Sequence, residues 1–282
     1  MAVQDTELIA EDLRRIFNPL SAHDTVQQST HDDAIFFSID LGCAGPDNGP
    51  SEFGVSILDS RCLASLLRND KNHTHPILSM HNYLFSRTRW QERRAKNGFR
   101  FGEIYRIPTS NRVELKQALT RIFRHHTSGN TCCGLQSFLP VCAKIISDSE
   151  TNIQSQLTND TLYRPLVLVG HDIENDLRCL SKVDFDPNTF PPVVAVFDTQ
   201  KIAYALYGRT FRLSSLCWHL DIKAKRFHIS GNDAAYTMLA LLRLAAETSD
   251  HASVEKIWGI ISSVLAEPCS GIERVRTVTP LD

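Results

Sequence analysis

Two short apolar runs, PLVLVG (165–170) and VVAVF (193–197), are each followed by a segment with helical spacing, and this alternation constrains the fold more than any other feature. Strands joined through helices pair in parallel, with the helices packed on the faces of the sheet. Two further runs, AIFFSIDL (34–41) and FGVSILDS (53–60), are dense in β-branched and aromatic residues and flank CAGPDNGPSE, so they read as an antiparallel pair. A mixed sheet of the α/β class follows. FRFGEIYRI (99–107) supplies another strand, and NRVELKQALTRIFRHH after it reads as a helix capped by Asn111. NDAAYTMLALLRLAA and VEKIWGIISSVLA are the strongest helical patterns of the second half.

The 282 residues fit one elaborated domain, against roughly 100–200 residues for a typical one. Residues 1–30 read as a helical extension carrying TELIAEDLRRIF. Residues 31–266 form the main domain, with an irregular insertion at about 127–162, and 267–282 read as a disordered tail. With 30 basic and 32 acidic residues, the whole-chain charge does not advertise a polyanion partner, so any such site is local. The eight cysteines show no CxxC pairing and are expected to be reduced and mostly buried. No apolar run approaches a membrane span, and the acidic start MAVQDTELIAEDL differs from a secretory or mitochondrial leader. An intracellular protein, cytoplasmic or nuclear, is expected.

Three acids occupy comparable local settings. Asp40 closes IFFSID, Asp176 closes HDIEND after the LVLVG strand, and Asp233 closes HISGND at the head of a helix. Converging carboxylates suit Mg2+ or Mn2+, which favour oxygen ligands, and two such ions about 4 Å apart serve phosphodiester hydrolysis. His228, five residues before Asp233 and just ahead of its helix, lies where an imidazole could accept the attacking water's proton. Asp172 precedes Asp176 by four residues, so a helix starting at once places both on one face and makes Asp172 a further candidate metal ligand that could partly replace a missing acid, while capping that helix is the plainer role. Asp198 and Thr199 are expected to cap the helix after VVAVF. Lys223, Lys225 and Arg226 lie beside His228 and suit a phosphate backbone. The stretch SRTRWQERRAKNGFRF, with Arg93 and Arg94 among its cations and Trp90 between them, suits either single-stranded nucleic acid or a solvated helix face. His73 with His75, His125 with His126, and Cys132 with Cys133 lack partners at zinc-ligand spacing.

SIDLG with SEFGVSILD, then GHDIENDLRCL, then HISGNDAAYTMLALL resemble the three motifs of the DEDDh 3′-to-5′ exonucleases, and VFDTQKIAYAL and RLSSLCWHLDI are similar to the stretch between the last two. The resemblance spans about residues 34–246. FRFGEIYRI is also similar to a segment of a fungal branch of that superfamily, named for a genetic link to messenger-RNA export. The resemblance implies a ribonuclease H-like mixed five-stranded sheet flanked by helices. It implies metal ligands at Asp40, Asp176 and Asp233, a general base at His228, two divalent ions, and single-stranded RNA or DNA as substrate. It also places the motif's glutamate at Gly42, which removes a ligand and a charge together. Two functions follow: an exonuclease weakened by Gly42, or a catalytically inactive ribonuclease H-like module that binds nucleic acid or a protein.

Overall fold

The computed structural model describes residues 33–43, 49–67, 77–85, 88–107, 109–127, 163–189, 192–248, 251–266 and 275–277. In chain order they form β1 (Ile35–Cys43), β2 (Pro50–Asp59), α1 (Ser60–Leu67), β3 (Leu78–Leu84), α2 (Arg89–Gly98), β4 (Glu103–Arg106), α3 (Arg112–Thr127), β5 (Leu166–Gly170), α4 (Glu174–Ser181), β6 (Val193–Asp198), α5 (Thr199–Tyr207), α6 (Leu213–His219), α7 (Ser230–Ala246), α8 (His251–Ala266) and β7 (Val275–Thr277). The expected extension over 1–30 and all but Thr127 of the expected insertion lie outside the described residues. So do His73, His75, Cys132 and Cys133.

One sheet runs in the order β6-β5-β1-β2-β3-β4-β7. β2 is antiparallel to β1 and β3, and every other pair is parallel. This is the mixed, helix-flanked sheet that the sequence implies, with seven strands in place of five. β3 hides from a pattern search because LSMHNYL turns the polar Asn82, not an apolar residue, into the protein on one face. β7 pairs in parallel with β4 from Ile104–Val275 to Arg106–Thr277, and the rest of 267–282 lies outside the described residues. Cys62 and Cys179 are each engaged in a disulfide, which corrects the expectation of reduced thiols at those two positions, whereas Cys217 is free and buried. Among the described residues no helix is long and apolar enough to cross a membrane.

The two-residue period of β1 divides two cores. Ala34 and Phe36 pack with α7 on one face of the sheet, while Ile35, Phe37 and Ile39 pack with Leu115, Leu119 and Phe123 of α3 on the other. Burying each such side chain contributes ~1.5–3 kcal/mol, so a one-residue slip of β1 is strongly disfavoured. The same parity sends Ser38 toward α7, where its hydroxyl donates to the Ala234 carbonyl at 2.9 Å. Asp40 and Gly42 share that face by periodicity. The β1–β2 pairing shifts register between Gly42 and Cys43, beyond the acid. Arg164 fastens the opposite end of the central strands: it donates to both Asp59 carboxylate oxygens at 2.5 and 2.7 Å and to Asp33 at 2.8 Å. Two of the expected caps are present, while Thr199 instead donates its hydroxyl to the Gly170 carbonyl at 3.1 Å. Asn111 accepts from the Glu114 amide at 2.9 Å, and Asp198 accepts from the amides of Gln200 and Lys201.

On the α3 face, His81, Tyr83, Tyr105, His125 and His126 form one aromatic cluster. His126 Nε2 is hydrogen-bonded to the Tyr83 hydroxyl at 2.9 Å, and the His81 and His126 rings stack at 5.0 Å between centroids. Burial, aided by the neighbouring His125 ring, pushes His81 down to about 3, and burial pushes His125 down to about 4. His126 is lowered for the same reason. Groups held neutral in the fold bind protons more readily once unfolded, so their stability contribution is complete above the unfolded value near 6.5 and is lost progressively below it. In chemical denaturation at pH 7 and pH 5, His125→Gln should lose less stability on acidification than wild type, by up to ~1.4 kcal/mol per pH unit. Equal losses would show that the ring is accessible to protons in the folded protein.

Candidate active site

The site lies where β1 outruns its parallel neighbour. Pairing of β1 with β5 covers Ile35 to Ser38 and then stops, leaving the end of β1 paired to β2 alone on that stretch. The Leu41 amide, which has no β5 residue to meet, donates to Asp176 Oδ1 at 2.9 Å. Asp176 stands in the first turn of α4, so this bond brings the second acid onto the strand that carries the first. Clefts at the carboxyl ends of parallel strands are the usual ligand sites of such sheets.

The third acid arrives on α7, which is buried at every residue except Arg243. Its start lies directly on β2, where a Cβ added to Gly54 would come within 1.8 Å of the Ser230 carbonyl oxygen. Glycine is required there by the close approach. Ile229, at the N-cap, supplies no capping side chain, and neighbouring strands do it instead. Glu52 Oε1 accepts from the Ser230 amide at 3.2 Å, Asn82 Oδ1 accepts from the Gly231 amide at 2.8 Å, and Asn82 Nδ2 donates to Glu52 Oε1 at 2.9 Å. Glu52 is fully buried, and its other oxygen accepts from Arg94 Nη2. α7 then fixes the loop before it. Asp233 Oδ2 accepts from the His228 amide at 2.8 Å, and the Tyr236 hydroxyl both accepts from the Lys225 amide and donates to its carbonyl, each at 2.8 Å. Arg226 and His228 are held at φ of 60° and 65°, left-handed conformations that cost an ordinary residue ~1–2 kcal/mol. The His228 side chain is exposed at the mouth of the site.

Charge is concentrated here. Burial and repulsion from Asp233 raise the Asp40 carboxyl well above the usual range, against a hydrogen bond from Ser230. Burial and repulsion from Asp40 likewise raise Asp176, with Asp172 and Asp198 adding to the effect. Asp233 is raised chiefly by burial, with Glu52 adding repulsion and the His228 amide and Arg94 opposing it. Asp40 thus feels both other acids. Asp233 Oδ1 is buried without a hydrogen-bond partner, as is Asp198 Oδ2. An orphaned buried carboxylate oxygen is costly, and among hard oxygen donors it fits a divalent cation. The side chains stand short of a closed ligand set, since no group of three potential ligands converges among the described residues.

A family model described as the C-terminal domain of DNA polymerase III subunit epsilon-like proteins matches residues 35–244. The chain belongs to this DEDDh family. No curated protein matches the sequence. The DEDDh match covers all three acids and His228, and it includes the anomalous Gly42.

What faces that glycine is Glu52, its direct partner across the β1–β2 ladder. A Cβ at Gly42 would lie 3.2 Å from Glu52 Cβ and 3.3 Å from Ser230 Oγ, with Glu52 Oε2 at 3.7 Å. A side chain there is crowded by a few tenths of an ångström. Asp172 lies near enough to help raise Asp176. Helix α4 begins at Glu174, Asp172 sits before it at φ 58°, and its carboxylate accepts from the Asn175 side chain. The expected shared helical face with Asp176 is therefore absent, and its side chain makes no backbone cap. Its amide instead donates to Asp198 at 3.0 Å. Arg94 also departs from expectation, because its guanidinium turns inward to Glu52, whereas Arg93, Lys223, Lys225 and Arg226 stay exposed. His171 was not anticipated as a tie: its ring is hydrogen-bonded to Thr199 Oγ1 at 2.9 Å and the Phe211 carbonyl at 3.0 Å, joining β5 to the segment after α5. Only the neighbouring Asp-Thr of VFDT hinted at it.

Removing one charge from this cluster should stabilise the metal-free protein. At pH 7.5, Asp40→Asn is expected to raise metal-free stability by ~1–3 kcal/mol, with a thermal midpoint higher by several degrees. The same change should abolish any rise that Mg2+ gives the wild type. Thermal unfolding with and without Mg2+ measures both; an unchanged Mg2+ response in the variant would remove Asp40 from the ligand set.

Proposed function

We propose that the chain is a divalent-metal-dependent 3′-to-5′ exonuclease acting on RNA or DNA, with turnover reduced by Gly42. The observation that carries this reading is the buried, unpartnered Asp233 Oδ1 beside Asp40, on a helix whose same carboxylate holds His228. Asp40, Asp176 and Asp233 would hold Mg2+ or Mn2+, two ions in the full form of the site. Bound there, the metal supplies an acidified water and stabilises charge on the phosphoryl oxygens. A ring nitrogen of His228 takes the proton of the attacking water, and the Asp233 carboxylate keeps that imidazole at the mouth through its grip on the His228 amide. Lys223, Lys225 and Arg226 meet the backbone phosphates on the same loop. With glycine at position 42, the residues that would hold the ions lack one carboxylate, which would lower turnover without displacing the other acids.

Gly42 also supports a second reading, a ribonuclease H-like module that binds nucleic acid or a protein without cleaving it, since Glu52 opposite is committed to Arg94, Asn82 and the start of α7. Strands labelled at either end, incubated with Mg2+ or Mn2+, separate the two. The wild type should release label from the 3′ end first, Asp40→Ala should abolish release, and Gly42→Glu should accelerate it by roughly 10- to 1000-fold. An inert wild type with an active Gly42→Glu variant establishes the second reading. Inertness of both, with either ion, rejects the nuclease outright.

A further inference from the structure

The exposed cations of α2 and those ahead of α7 lie far apart in sequence but are fastened together. Asn232, next to Asp233, donates from Nδ2 to the Gly98 carbonyl at 3.0 Å and to the Arg226 carbonyl at 2.7 Å, while its Oδ1 accepts from the Arg100 amide at 2.9 Å. Arg226 Nη1 donates to the Asn97 carbonyl at 2.7 Å. The C-terminal end of α2 is thereby locked to the loop that carries His228. Arg89, Arg93 and Lys96, spaced by four and three residues, share one helical face and are exposed, as are Lys223, Lys225 and Arg226 on the loop. The acid of α2 does not cancel them, since Glu92 is paired with Arg106 at 3.3 Å. Trp90 is 67% exposed, and the Arg94 guanidinium lies 5.3 Å from its ring centroid. Arg94 is itself anchored by the buried Glu52, so the indole is braced from the same carboxylate that caps α7.

We propose that α2 and the 223–228 loop form one track for a single-stranded polynucleotide, running from His228 along α2 to Trp90, which stacks on a base upstream of the 3′ terminus. The proposal rests on the exonuclease reading for its direction. Cations flanking an open aromatic ring match the chemistry of a single strand, whose unpaired bases expose the π faces that a duplex hides. Seven residues of helix separate Trp90 from Asn97, a rise of ~10 Å. At ~3.4 Å or more per nucleotide, a dinucleotide held at the site ends short of Trp90, whereas a longer strand reaches it.

The test is fluorescence anisotropy of labelled dinucleotides and of strands of about twelve nucleotides, both RNA and DNA, with the full chain carrying Asp40→Ala so that nothing is cleaved. The long strands should bind more tightly than the short ones. Adding Trp90→Ala should cost the long strands ~5- to 100-fold and largely erase that gain from length. Adding Arg93→Ala with Lys96→Ala should reduce the salt slope for the long strands by ~1.4, two phosphates' worth of released counterions. Long-strand affinity indifferent to Trp90→Ala and to the double substitution overturns the track, as does equal binding of a blunt duplex. Failure of the exonuclease reading looks different: the strands bind along α2 in the variant-sensitive way, yet the wild type releases no nucleotide.

Discussion

A helix buried along nearly its whole length cannot leave its first amides unpaired, and the satisfaction of the α7 start is the constraint on which the site depends. Water cannot serve there, and Ile229 offers no cap. The strands supply the acceptors, Glu52 from β2 and Asn82 from β3, over a backbone brought close by Gly54. Everything downstream inherits this docking. Asp233 points at Asp40 because α7 is seated there, and the left-handed loop before it is tolerated because Asp233, Asn232 and Tyr236 hold its backbone. Glu52 is therefore a scaffold carboxylate whose negative field is also felt by Asp40 and Asp233. Its grip on Arg94 compensates a charge that would otherwise be buried alone.

The acids and the strands of high apolar content were legible because each carries its own local pattern: IFFSID, LVLVG and VVAVF read as strands wherever they occur, and they do form β1, β5 and β6. Asn111 and Asp198 were legible as caps for the same reason, since a cap is decided by residues within one turn. β3 was not legible. Its inward Asn82 makes sense only once α7 presents an amide to it, a contact that spans 149 positions of sequence. Asp172 misled for a subtler reason: its spacing from Asp176 fits a helix, but its amide is claimed by Asp198 on the adjacent strand and the helix starts two residues later. The inward turn of Arg94 likewise depends on a buried partner 42 residues away.

Gly42 looks in sequence like a simple deletion of a ligand. In the fold it borders a filled space, crowded by Glu52 and Ser230, and Ser230 also hydrogen-bonds Asp40. The neighbourhood has thus closed around the small residue with polar groups that hold the remaining acid in place. Loss of one carboxylate and retention of the others are compatible because the others are positioned by different elements: Asp176 by a backbone amide of β1, and Asp233 by the seating of α7.

The register shift between Gly42 and Cys43 falls just past the last residue of β1 that touches the acidic cluster. Side-chain parity upstream is locked by two cores, while the ladder downstream of the shift no longer keeps step with it. The end of β1 past the shift is consequently uncoupled from the register that aims Asp40. A change of pairing beyond Gly42 would leave the aim of Asp40 where the sheet put it.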